Sequence, residues 1–189
     1  NARITVKTIP TLLQAYITSS RYETLRSLVA NSLYGTTLMD EVRRYAEAAR
    51  GIARLEEFDI IHVHDWLGVL AGIAAKSVSG KPMILHVHAT EFDRTGGNGV
   101  NTEVYAIEKK GIELADAVIA VSNFTKQILV EKYGVPASKV TVIHNGVEME
   151  GEASGESPVL QELKKRGAKV VLFVGRLTRR KGCEYLIRA

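Results

Sequence analysis

Two cations, Arg176 and Lys181, sit in a turn of sequence GRLTRRKG at residues 175–182. The turn follows an apolar run at 169–174 (KVVLFV) that predicts a buried strand. It precedes residues 183–187 (CEYLI), which predict an opening helix. Gly175 at the strand end allows a tight turn, and the helix start offers free backbone N–H groups beside both side chains. A guanidinium and an ammonium converging there suit a doubly charged diphosphate. Alone, the same residues also read as a solvated basic turn, which is the reading for Arg179 and Arg180.

Imidazoles gather elsewhere. His62-Val63-His64-Asp65-Trp66 and His86-Val87-His88-Ala89-Thr90-Glu91 each place two histidines two residues apart. On a strand such pairs share one face and can chelate a metal. They can equally hydrogen-bond neighbouring backbone, and no Cys, His or Asp cluster completes either pair, so no metal is assigned. His62 and His86 fall inside their strands, whereas His64 and His88 lie nearer the ends and are the better candidates for facing a ligand. Asp65 reads either as a site carboxylate or as a cap of the following helix. The glycine-rich stretch 95–99 (TGGNG) lacks the GxGxxG spacing, and reads as a lid or an ordinary surface loop. Cys183 reads as filler at a helix start.

These residues need elements to hold them. Apolar positions recur at helical spacing from Val42 to Leu55. Strands are predicted at 59–63 (DIIHV), 82–87, 117–121 and 140–144, and helices at 68–78, 103–115 and after Ser122-Asn123, with Gly134 as the stop. A strand-like stretch also opens the chain at 3–8. Short apolar strands separated by amphipathic helices predict a parallel sheet covered on both faces, a Rossmann-like α/β fold. Ligands in such sheets bind at the carboxyl ends of the strands. The polar residues His64, His88, Ser122, Asn145 with Gly146, and Arg176 all fall there, which suggests one crevice.

Residues 148–157 (EMEGEASGES) carry no periodicity and read as an exposed linker. The expected division is therefore an N-terminal domain at 1–150, a linker at 151–158 and the start of a second domain at 159–189, with a helix at 159–165. A hydrophobic content of 46% with 24% charged residues is that of a globular chain. Net charge is +4, but nine Lys/Arg face only two acids between residues 162 and 189, and the rest of the chain is −3. Basicity beside one turn favours a compact anion over nucleic acid, which takes cations spread along a face. One cysteine among 189 residues fits a reducing compartment. Neither a membrane-length apolar run nor a signal-peptide pattern is present. Both ends read as cut, as in a fragment of a larger protein.

Five segments in this order, FDIIHVHDW, HVHATEFDRTGG, ADAVIAVSNFTKQIL, VTVIHNGVE and VLFVGRLTRRKG, resemble the glycogen/starch synthase-like, nucleotide-sugar-dependent glycosyltransferases (glycosyltransferase family four and relatives). The resemblance implies the GT-B fold, two Rossmann-like domains facing across a cleft, with acceptor bound mainly by the first and donor mainly by the second. It implies transfer of a hexose, glucose from UDP- or ADP-glucose, to an α-glucan or to a small or lipid acceptor. Configuration would be retained, with no catalytic metal and no cofactor beyond the donor, in the cytoplasm. Arg176 and Lys181 would hold the diphosphate and stabilise the leaving nucleotide, and Gly175 would bring the backbone close to it. His88 would stand next to the transferred sugar, Asp65 would line the acceptor side, and Asn145 and Gly146 match the family's hinge-proximal NGV element. The family's hinge usually carries Asp where Glu148 stands here, and its N-terminal glycine loop and paired glutamates have no counterpart, so this piece alone is expected to turn over nothing. Two readings from other classes are a metal-dependent hydrolase using His62, His64, His86 and His88, and a non-catalytic binding module.

Overall fold

A computed structural model describes residues 5–15, 17–29, 33–147, 157–177 and 181–189. The chain divides into two compact units, Asn1–His144 and Asn145–Ala189. The first opens with helices α1 (Ser19–Ser27) and α2 (Leu38–Leu55). Helix α2 starts at a capping box in which Thr37 and Asp40 each satisfy the other's backbone N–H. Strands and helices then alternate as β1 (Ile61–His64), α3 (Asp65–Ser79), β2 (Met83–Val87), α4 (Glu91–Thr95), α5 (Thr102–Leu114), β3 (Ala117–Ala120), α6 (Asn123–Tyr133) and β4 (Val140–Val142). The four strands pair in parallel in the order β1-β2-β3-β4, with His64 opposite His86. Helix α6 has the caps read from sequence: the Ser122 side chain accepts from the Thr125 N–H, and Gly134 ends the helix in the left-handed region.

Alternation along β1 and β2 sorts the two faces of the sheet. Val63, Met83, Leu85 and Val87 are buried, as are Val69, Val104, Ile107 and Ile112 of the helices packed with them. His62 and His64 point the other way and are exposed, with His86 half-buried. Full cover on both faces, expected from the apolar runs, does not hold for β1, the edge strand of the described sheet, where His62 and His64 are exposed. Helix α3 approaches β1 closely. A Cβ on Gly72 would lie 2.2 Å from Val63 Cγ2 and 2.9 Å from Met83 Sδ. Valine is stiff about χ1 and cannot turn aside. Gly72→Ala is therefore expected to destabilise the unit by about 1–3 kcal/mol. A urea midpoint equal to that of the parent would show that the helix can shift at no cost.

The second unit contains helices α7 (Pro158–Lys165) and α8 (Cys183–Arg188). The strand expected at 169–174 does not form. That segment has no ladder partner among the described residues, and Val171, Leu172 and Val174 are 76%, 79% and 83% exposed. Apolar character does not make a strand without a neighbour to take its backbone hydrogen bonds. Of the stretch expected as a strand at 3–8, residues 5–8 have no regular structure. Glu148, Arg179, Arg180 and most of the expected linker lie outside the described residues. Among the described residues no helix is long and apolar enough to cross a membrane.

Candidate active site at the strand ends

Strands β1 and β2 bring His64, Asp65 and His88 together. Asp65 is the one described non-glycine residue at positive φ, 53°. A single aspartate can hold this conformation because its short side chain finds local backbone donors. Of the two roles open to Asp65 from sequence, capping α3 is not the one it takes: no side chain caps that helix. Its Oδ1 instead accepts from the backbone N–H of His88 at 2.7 Å and of Ala89 at 3.4 Å. The His88 ring is held as well, its Nε2 lying 2.9 Å from Nδ1 of His64. Backbone and ring of His88 are thus fixed from β1, leaving its Nδ1 as the nitrogen to meet a ligand. A half-buried imidazole held this way can donate to, or accept from, a hydroxyl at the strand ends. Asp65→Ala removes both the backbone acceptor and the tolerance for left-handed backbone. It is expected to cost about 1–3 kcal/mol, read from the urea midpoint.

Four imidazoles crowd this corner, with His62–His64, His64–His86 and His86–His88 ring centroids 4.5, 5.1 and 4.3 Å apart. Burial, and then the neighbouring imidazoles, lower His64 and His86 below the ordinary 6.5, while Asp65 pulls weakly the other way. In the unfolded chain both groups take a proton near pH 6.5, but in the folded chain only at lower pH. Stability is therefore unaffected by them above that value and is lost as pH falls through the window below it. Chelator-treated protein is expected to show a lower urea midpoint near pH 5.5 than near pH 7.5, and His86→Gln to flatten that difference. An equal pH slope in the variant would exclude His86 as its source.

Behind His88 lies a polar network that sequence patterning missed. Thr90 and Asp93 form a capping box that starts α4. Arg94 donates through Nε to Glu91 at 3.0 Å and through Nη1 to the Ala89 carbonyl at 2.8 Å, and its Nη2 reaches Glu108 on α5. Glu108 also accepts from the Glu91 N–H and from the Tyr133 hydroxyl. Burial raises the Glu108 carboxyl above the usual range against the opposing pull of Arg94. Burial alone would lower Arg94, but the carboxylates of Glu108 and Glu91 outweigh it and raise it. The signal was present in the sequence. Glu108 falls on the same helical face as Val104, Ile107, Gly111 and Ile112, a charge at a core position.

The remaining candidates belong to the second unit or its start. Asn145 and Gly146 are exposed and outside regular structure. Arg176 and Lys181 are exposed on either side of residues 178–180, which lie outside the described set. Gly175 lies at a bend, as expected of a turn, and reaches it without a positive φ. That conformation, 73°, belongs to Gly182, where it starts α8. The exposed stretch 96–99 follows α4 rather than a strand.

Comparison with known proteins gives this arrangement a family. The description "Glycosyltransferase Family 4" matches residues 17–150. An uncharacterized glycosyltransferase of Methanocaldococcus jannaschii is 34% identical over 151 residues, which cover 76% of this chain and 39% of that protein. A glycogen synthase of Mycobacterium tuberculosis is 30% identical over 134 residues, 69% of this chain and 31% of that protein. An alpha-maltose-1-phosphate synthase of Mycolicibacterium smegmatis is 32% identical over 145 residues, 71% and 37%. The chain thus spans between 31% and 39% of the length of these relatives. A family match over more than half of its residues, on a parallel α/β sheet whose strand ends present a fixed histidine, places the chain in glycosyltransferase family 4.

Proposed function

We propose that the protein carrying this chain transfers a hexose, glucose, from UDP- or ADP-glucose to an α-glucan, with retention of configuration and no catalytic metal or cofactor, in the cytoplasm. The observation that carries the reading is the fixing of His88 by Asp65 and His64 at the carboxyl ends of β1 and β2. A held imidazole at that edge suits contact with the sugar being transferred. Arg176 and Lys181 supply charge for the diphosphate, as a divalent ion does in other transferases. The name of one relative, glycogen synthase, supports glucose and a glucan acceptor, and that of another, alpha-maltose-1-phosphate synthase, supports a glucose-built product on a small sugar phosphate. The metal-dependent hydrolase has no comparable support among the relatives.

Calorimetric titration of the native-length protein with UDP, ADP and GDP tests the donor assignment. Saturable binding of UDP or ADP is expected, with labelled glucose passing from the matching donor to glycogen. Absence of binding by all three, or unchanged binding in an Arg176→Ala/Lys181→Ala variant, defeats the reading. Transfer to a small acceptor but not to glycogen keeps the donor and replaces the acceptor.

A further inference from the structure

We propose that His62, His64 and His86 form a site for a divalent transition-metal ion of the zinc class. Neither His-x-His pair has a third ligand of its own, but parallel pairing sets His64 of β1 opposite His86 of β2 and supplies it. Strand alternation puts His62 on the same face as His64. One ring nitrogen from each of the three lies within 4.8 Å of the other two. Nitrogens about 2.0–2.1 Å from a tetrahedral zinc are about 3.3 Å apart. A modest rotation of the exposed His62 ring, with His64 pivoting about its contact to His88, closes that gap.

Two further features point to a ligand. Both ring nitrogens of His86 are buried, and neither has a hydrogen-bond partner among the described residues. A buried polar atom in that state is uncommon enough to need a partner the protein side chains do not supply. His64 already has an outer contact of the kind that orients metal-bound imidazoles, since its Nδ1 meets Nε2 of His88 at 2.9 Å. A metal on its other nitrogen fixes the tautomer of both rings. Three imidazoles without a carboxylate select zinc, cobalt, nickel or copper and disfavour magnesium and calcium, which take oxygen ligands. The fourth position faces the exposed side and is left for water. The site is separate from the diphosphate chemistry proposed for Arg176 and Lys181, and it stands or falls independently of it.

Titrating chelator-stripped, native-length protein with zinc and with magnesium, by calorimetry, tests the site. Saturable zinc binding without magnesium binding is expected. Cobalt is expected to give a visible d–d spectrum without a thiolate charge-transfer band, which excludes Cys183. His62→Gln and His86→Gln are each expected to weaken zinc at least tenfold, while His144→Gln leaves it unchanged. His62 is exposed at the sheet edge, so its variant reads out binding even if His86→Gln fails to fold. Lack of saturable zinc binding, or wild-type affinity in His62→Gln, overturns the proposal.

Discussion

Arg94→Leu is expected to destabilise the sheet-bearing unit by about 3–5 kcal/mol, measured as a fall in the free energy of urea unfolding. The guanidinium is the shared cation of Glu91 and Glu108, and these three side chains are 19%, 10% and 8% exposed. Removing it leaves two carboxylates in a poorly solvated region and frees the Ala89 carbonyl as well. The pH dependence gives a second readout. Burial already raises the Glu108 carboxyl, and loss of Arg94 raises it further, so the folded variant takes up a proton more readily than the unfolded chain. Its deficit is greatest above the folded value and shrinks as pH falls through it. Adding Glu108→Leu to Arg94→Leu is expected to recover part of the loss, because an apolar pair replaces an orphaned charge. A single variant within about 1 kcal/mol of the parent would mean that water reaches Glu108 and solvates it.

Turnover by the native-length protein is expected to fall about 100- to 1,000-fold in Arg176→Ala, and by a similar factor in Lys181→Ala, through kcat rather than KM. On the function proposed above, both cations act on charge that develops as the nucleotide leaves, so the loss belongs to the transition state. Both side chains are exposed, so the variants should keep the parent's thermal midpoint. Glucose release from UDP- or ADP-glucose into glycogen, followed at saturating donor, measures the effect. A loss below about threefold in both variants would remove these residues from the chemistry. A KM-only effect would make them simple donor contacts.

The elements that position the site were legible because local patterning carries them. Helix 103–115 and strand 82–87 were read within a residue of α5 and β2, and Ser122 and Gly134 mark the ends of α6 as caps should. His64, Asp65 and His88 were also legible as candidates, because polar residues ending apolar strands stand out. Their mutual bonds were not. They join residues 23 and 24 positions apart, and nothing local sets the register that opposes His64 to His86. For the same reason the two His-x-His pairs looked incomplete one at a time. Glu108 stood out as a charge on the apolar face of its helix, but its partners Arg94 and Glu91 were hidden, because only the packing of α4 against α5 brings them to it. Residues 169–174 failed in the opposite direction. Their composition is that of a strand, but strand formation depends on a neighbour, and local sequence does not encode one.

For the 189-residue chain taken by itself, that bare valine- and leucine-rich stretch is expected to set how the polypeptide handles in concentrated solution. Such a window, with high β-propensity and no proline, invites pairing between molecules, and a second chain can supply the ladder that the described residues do not. Lys165 and Lys169 flank its N-terminal side and are expected to act as gatekeepers by repulsion between chains, Arg166 being paired with Glu162. Salt weakens that repulsion, so turbidity on storage should rise with ionic strength rather than fall.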